Sequence, residues 1–267
     1  MTFLYQYHRN LDYVLDTIVN KRLYFSAPSD FNDPFDCRPK FSLFSCKNDA
    51  ENVWRRYFSL LAKHQYPGIS NAEAEKCADA EILNGKHRDK DWLCGSDESI
   101  KEELSKIAPR ICCFSKFPRN AMMWAHYADN HKGVVLQFKK ANMIGNDTSY
   151  RGFDVEYYDK PIPLERYVKA MEQTESGDEA AFGRLIYLTK SSDWTSEKEV
   201  RFLSREIYMA FPETMLTGII FGSECSVHWR DHIYTALSAW STRPSLFKED
   251  SSISSIKLCF KRLGKGD

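Results

Sequence analysis

Apolar and polar positions alternate along this chain with more than one period. The run "FLYQYH", Phe3 to His8, is short and aromatic-rich, as in a strand. Leu11, Val14, Leu15 and Ile18 then recur at helical spacing behind Asn10, a residue suited to an N-cap. "RLYFS" predicts the next strand. Between Ala50 and Pro109, long charged stretches carry scattered apolar positions such as Trp54, Phe58, Leu60 and Leu61, which predicts helices joined by loops at "YPGIS" and "LCGSDES". From Ile111 to Phe260 strands are predicted at "ICCFS", "GVVLQF", "FDVEYY", "EVRFL", "TGIIFG" and "SIKLCF", interrupted by helical segments such as "LERYVKAMEQ". This order predicts an α+β fold: a mixed, largely antiparallel sheet with flanking helices, one domain over residues 1–267, and a mainly helical insert at about 50–109.

Composition narrows the partners. Lys plus Arg and Asp plus Glu both total 37, so no overall field favours nucleic acid or an acidic membrane, and only a local basic patch would draw nucleic acid. The eight cysteines form no CxxC pair, so reduced thiols are expected rather than a structural zinc site. "MTFLYQYHRN" lacks the apolar core of a signal peptide, and no run approaches the ~18 apolar residues of a membrane span. A soluble, cytoplasmic protein is expected.

Three clusters carry candidate chemistry. In "SAPSDFNDPFD", Ser26 to Asp36, Pro34 fixes its own φ and steers Asp33 away from helix, while Asn32 and Asp33 can bond nearby amides, so a stiff turn holding carboxylates is predicted. The plainer reading has Phe31 and Phe35 plugging a core while the acids cap amides. In "CFSKFPRNAMMWAHYADNHKGVVLQF", a helix through "MMWAHYADNH" puts Trp124, Tyr127 and His131 on one face able to hold a flat ring, with Gly133 ending the helix. Here the plainer reading makes Trp124 and Tyr127 core. His126 and His131 stand five apart, a poor spacing for zinc on one helix face. In "SSDWTSEKEVRFL", a strand starting near Glu197 places Glu197, Glu199 and Arg201 on one face, against a plainer reading of a solvated face with a weak surface ion pair.

Taken in order, "YQYHRN", "LYFSAPSDFNDPFD", "CFSKFPRNAMMWAHYADNHKGVVLQF" and "WTSEKEVRF" resemble the bacterial family known as domain of unknown function 2971, from about Tyr5 to Phe221. That family implies no activity. The order of a first strand with a histidine, a helix, "LYFS", a later aromatic element and a final E-x-E strand more distantly resembles ADP-ribosyltransferase-type domains of the His-Tyr-Glu kind. This second resemblance implies NAD as substrate, a first-strand His8, a late catalytic Glu199, and Tyr24 or Tyr127 as the stacking aromatic. Glu197 would orient or deprotonate the acceptor, and Ser26, Asn32, Asp33, Trp124, His131 and Arg201 complete the expected surroundings of the dinucleotide. A clear Ser-Thr-Ser strand motif is missing.

A fixed carboxylate beside the ribose would stabilise the oxocarbenium-like centre left by departing nicotinamide. The resemblance thus implies an NAD-consuming enzyme with a small-molecule nucleotide and an unspecified macromolecular acceptor, in the manner of a bacterial toxin or defence effector. Two other classes stand beside it. Asp33, Asp36, Glu197, Glu199 and a histidine would suit Mg²⁺ or Mn²⁺ in a nuclease or nucleotide hydrolase; alternatively the domain is a non-catalytic ligand-binding or interaction module. In each case the three clusters are expected to converge on one site.

Overall fold

Asn10 starts the first helix as its sequence predicts: its Oδ1 accepts from the Asp12 amide at 2.8 Å. It lies between β1 (Phe3–His8) and α1 (Leu11–Asn20), which Lys21 ends in the left-handed conformation, φ 51°, before β2 (Arg22–Tyr24). β3 (Phe41–Ser42), α2 (Ala50–Gln65) and α3 (Asn71–Leu83) follow, then β4 (Arg110–Ser115), α4 (Ala121–Tyr127), β5 (Val134–Lys139) and β6 (Gly152–Asp154). Next come β7 (Glu156–Tyr158), β8 (Ile162–Pro163), α5 (Leu164–Glu175), α6 (Ala181–Tyr187) and β9 (Thr189–Ser191). The last elements are β10 (Glu199–Ser204), β11 (Tyr208–Ala210), β12 (Leu216–Phe221), α7 (Val227–Leu237), β13 (Ser245–Asp250) and β14 (Cys259–Arg262). The structure, a computed structural model, describes residues 3–38, 41–42, 50–89, 92, 108–140, 152–250 and 258–264. The predicted loop "LCGSDES" lies outside the described residues.

The chain forms two compact units. One comprises Met1–Phe31, Pro109–Val155 and Asp193–Asp267; the other comprises Asn32–Ala108 and Glu156–Ser192. The helical block expected at 50–109 therefore shares its unit with a later segment. The expected single strand "FDVEYY" breaks at Val155: β6 pairs with β10 in the first unit, and β7 pairs with β9 in the second.

The first unit is built on an eight-stranded sheet of order β14-β13-β12-β5-β1-β4-β10-β6, in which only β12 and β13 run parallel. The fold is thus α+β with a mixed, mostly antiparallel sheet. Alternation gives it two buried faces. Leu4, Phe114, Leu136, Phe138, Val200, Phe202, Ile219 and Phe221 pack with Val14 and Ile18 of α1 and with Ile233 and Leu237 of α7. On the other face Val135 and Ile220 pack with Trp124 and Ala128, and Tyr5, Tyr7, Phe247 and Phe260 join them. β2 and β11 form a separate two-stranded ribbon.

The second unit is mainly helical. Ser70 and Glu73 form a reciprocal capping box at the start of α3, so the predicted "YPGIS" loop ends where a helix can begin. Trp54, Tyr57 and Phe58 of α2 pack against Tyr167 and Val168 of α5 and Leu185 of α6. No helix among the described residues is long and apolar enough to cross a membrane. The described cysteines, Cys37, Cys77, Cys112, Cys113, Cys225 and Cys259, are all free thiols.

Candidate functional site

Strand register assembles a polar row across three adjacent strands. Ser115 of β4 stands opposite Tyr5 of β1 on one side and Glu199 of β10 on the other, and Cys113 stands opposite Arg201. Directly opposed residues in an antiparallel pair project to the same side, so this row shares the sheet face that carries Trp124. Arg201 donates from Nε to Glu199 Oε1 at 2.8 Å and from Nη2 to Oε2 at 3.0 Å. Arg201 is 0% exposed and Glu199 5%, and the guanidinium lies 5.5 Å from the ring centre of Phe31. The reading of a solvated face with a weak surface ion pair is therefore wrong. Burial holds the Cys113 thiol well above its ordinary range, and the neighbouring Glu199 carboxylate adds to the effect.

Glu197 is not a strand residue. It ends a 3₁₀ turn over Ser192–Glu197, and Lys198 at φ 48° separates it from β10, which begins at Glu199. Ser115 Oγ donates to the Glu197 carbonyl at 2.7 Å, docking the turn on the polar row. The Tyr127 hydroxyl donates to Glu197 Oε1 at 2.8 Å. Asn120 strengthens the same junction: its Oδ1 caps α4 by accepting from Met122 N at 3.0 Å, and its Nδ2 donates to the Ser196 carbonyl at 2.6 Å. One asparagine thus starts the helix that carries Tyr127 and ties it to the turn that carries Glu197.

The helix is shorter than its sequence predicts. α4 stops at Tyr127, and Asp129, Asn130 and His131 take successive left-handed conformations with φ 46°, 51° and 68°. Gly133 does not end the helix; it permits contact, because a Cβ there would lie 2.0 Å from the His8 carbonyl oxygen. The left-handed turn folds His131 back onto Trp124, with ring centres 5.5 Å apart and planes within 5°. Trp124 is 0% exposed, its Nε1 donates to the Pro118 carbonyl at 2.8 Å, and Tyr7 meets its ring edge-on at 5.6 Å. Trp124 is therefore core, as the plainer reading held, and its stacking partner is His131. His131 Nδ1 lies 2.8 Å from Glu249 Oε2, which also accepts from the Ser223 amide at 3.0 Å.

His8, Tyr24 and Ser26 belong to other parts of the first unit. His8 pairs with Val134 and lies three positions beyond Tyr5, so its side chain projects to the face opposite Glu199, beside Leu4 and Val134. Its Nε2 is 3.1 Å from Gln6 Oε1, and burial pushes the imidazole down to about 4. Tyr24 belongs to the β2–β11 ribbon and meets Tyr208 with ring centres 5.6 Å apart, while Ser26 pairs through its backbone with Ile111. Asn32 and Asp33 belong to the second unit. There Asp33 Oδ1 accepts from the Phe35 amide at 2.9 Å, and the buried Asp36 pairs with Lys190 Nζ at 3.3 Å. Phe35 is 64% exposed, so it plugs no core.

Ser115 and Tyr5 stand in the polar row and Glu249 holds His131, and sequence reasoning missed all three. Alternation within "FLYQYH" puts Tyr5 and Tyr7 on one face, but nothing in the local pattern names the strands opposite. Glu249 reaches His131 only through the parallel pairing of β12 and β13. Among the described residues no three His, Cys, Asp or Glu side chains form a group able to hold a metal ion. Chemically, the face offers two fixed carboxylates, a phenol hydrogen-bonded to one, and a guanidinium on the other.

The family described as "Protein of unknown function (DUF2971)" matches residues 123–202. The match takes in Trp124, Tyr127, His131, Glu197, Glu199 and Arg201, and leaves out the "FNDPFD" turn. No curated protein matches the chain, and no solved structure does.

Proposed function

We propose that the sheet face carrying Glu197 and Glu199 is the reaction site of an NAD-consuming, ADP-ribosyltransferase-like enzyme. One observation carries this reading: Tyr5, Ser115 and Glu199 stand in a single row across β1, β4 and β10, with Glu197 docked on that row through Ser115. In the reaction the bond between nicotinamide nitrogen and ribose C1′ breaks, its electron pair leaves with neutral nicotinamide, and an acceptor oxygen or nitrogen bonds to C1′. Glu199 would stabilise the developing positive charge at C1′, and Glu197 would take the acceptor's proton. Arg201 fixes the orientation of Glu199 and also cancels part of its field. His8 projects to the other face of the sheet, so this reading gives it no role in the reaction. Action as a bacterial toxin or defence effector is a use that this chemistry would serve.

A second reading is favoured by the burial of the same pair. A carboxylate 5% exposed and already held by two bonds from Arg201 suits a fold-organising residue, in which case the domain is a non-catalytic binding module. Incubation of the full chain with NAD, with nicotinamide followed by chromatography, separates the two. The transferase reading expects release that falls ~100- to 1000-fold in Glu199→Gln. NAD binding by calorimetry without nicotinamide release favours the module, and neither binding nor release overturns the NAD assignment altogether.

A further inference from the structure

The sequence "SVHWRDHIY" places His228 and His232 four apart on α7, the spacing that His126 and His131 lack. Ser226 caps the helix by accepting from the Trp229 amide at 3.2 Å, so both histidines lie within regular helix. Both are exposed, while Ile233 and Leu237 anchor the opposite side of α7 in the core. The two imidazoles stand together with ring centres 4.1 Å apart and planes tilted by 53°.

The orientation of one ring is fixed. His232 Nδ1 lies 2.8 Å from the His228 carbonyl oxygen, and a carbonyl only accepts, so Nδ1 carries the hydrogen and the Nε2 lone pair of the neutral ring points away from the backbone. A histidine whose second ring N–H donates to a backbone carbonyl is the usual arrangement for metal ligation, because that bond sets the tautomer and the ring angle.

We infer that His228 and His232 form a chelating site for a divalent first-row transition metal. Imidazole nitrogens suit Zn²⁺, Ni²⁺ and Cu²⁺, and two nitrogens each ~2.0 Å from one ion stand roughly 3.3 Å apart, a spacing that neighbouring rings at this separation can reach. No third His, Cys, Asp or Glu completes the set among the described residues, so water fills the remaining positions. The site belongs to the outer surface of α7 and is independent of the polar row on the sheet.

The test is titration of the tag-free full chain with Zn²⁺ alone in a non-coordinating buffer, read by calorimetry and by melting temperature. One ion per chain is expected. His228→Ala and His232→Ala should each weaken binding roughly 100-fold, because two linked ligands bind far more tightly than either alone. The double variant should lose the Zn²⁺-dependent rise in melting temperature altogether. Circular dichroism checks the fold, and His87→Ala serves as a control that should bind like the parent. Binding that survives in the double variant, or no binding by the parent, overturns the site.

Discussion

Arg201 grips Glu199, two residues earlier on the same strand, through Nε at 2.8 Å and Nη2 at 3.0 Å, with both side chains withdrawn from water. Such a pair costs more to break than to remove. Arg201→Met leaves a buried carboxylate without its guanidinium and should destabilise by about 3–5 kcal/mol. Arg201→Met combined with Glu199→Leu should recover much of that loss, since two apolar side chains need no solvation. Urea unfolding of the parent and both variants measures this. A loss under ~1 kcal/mol for the single change would match a solvated pair instead.

The turn at Asn32–Asp36 contains two acids with different roles. Asp33 bonds one amide at a partly exposed position, so Asp33→Ala should cost only about 0.5–1.5 kcal/mol. Asp36 and Lys190 face each other at 3.3 Å with side chains 4% and 5% exposed. Asp36→Ala removes the carboxylate that faces this buried ammonium and should cost about 3–5 kcal/mol. Equal melting temperatures for the two variants would contradict this division.

Much of the sheet is legible in the sequence because its strands are short apolar runs and its first helix has a cap and a clean repeat. What stays hidden is mostly backbone sign and register. Nothing about Lys198 announces a positive φ, since lysine has no preference for that region, so Glu197 reads as a strand residue. Nothing in "ADNH" announces three left-handed residues in a row, although Asp and Asn tolerate them better than most, so the helix reads as longer than it is. The separation of His8 from Glu199 depends on which residue of β1 faces Ser115. That is a property of strand pairing, and a one-residue slip would reverse it.

Two glycines mark backbone crossings where substitution should fail for steric reasons. A Cβ at Gly133 would lie 2.0 Å from the His8 oxygen, and one at Gly222 would lie 1.9 Å from the His131 oxygen. Both obstacles are backbone, so the sheet itself must shift, and Gly133→Ala and Gly222→Ala should each cost at least ~1–3 kcal/mol. Gly183 is the contrast. Its nearest obstacle is a Tyr187 ring carbon at 3.9 Å within α6, so Gly183→Ala should stabilise by up to ~1 kcal/mol through helix propensity. Chemical denaturation of the three variants should give opposite signs.

His8 supplies a test that joins stability to function. Burial lowers its pKa from 6.5 to about 4, so between those values the unfolded chain binds a proton that the folded chain refuses. Stability therefore falls as pH drops through the window from 6.5 to 4, and His8 takes nothing further below it. His8→Asn keeps a polar group near Gln6 and removes the titration. Its melting temperature should fall less steeply than the parent's across this window, and parallel curves would mean that His8 is not desolvated in the fold. The same variant tests the site. Its side chain lies on the sheet face opposite Glu199, so any nicotinamide release by the parent should survive His8→Asn and be lost in Glu199→Gln. A His8→Asn protein that folds normally yet no longer releases nicotinamide would return His8 to the reaction and require a site open to both faces of the sheet.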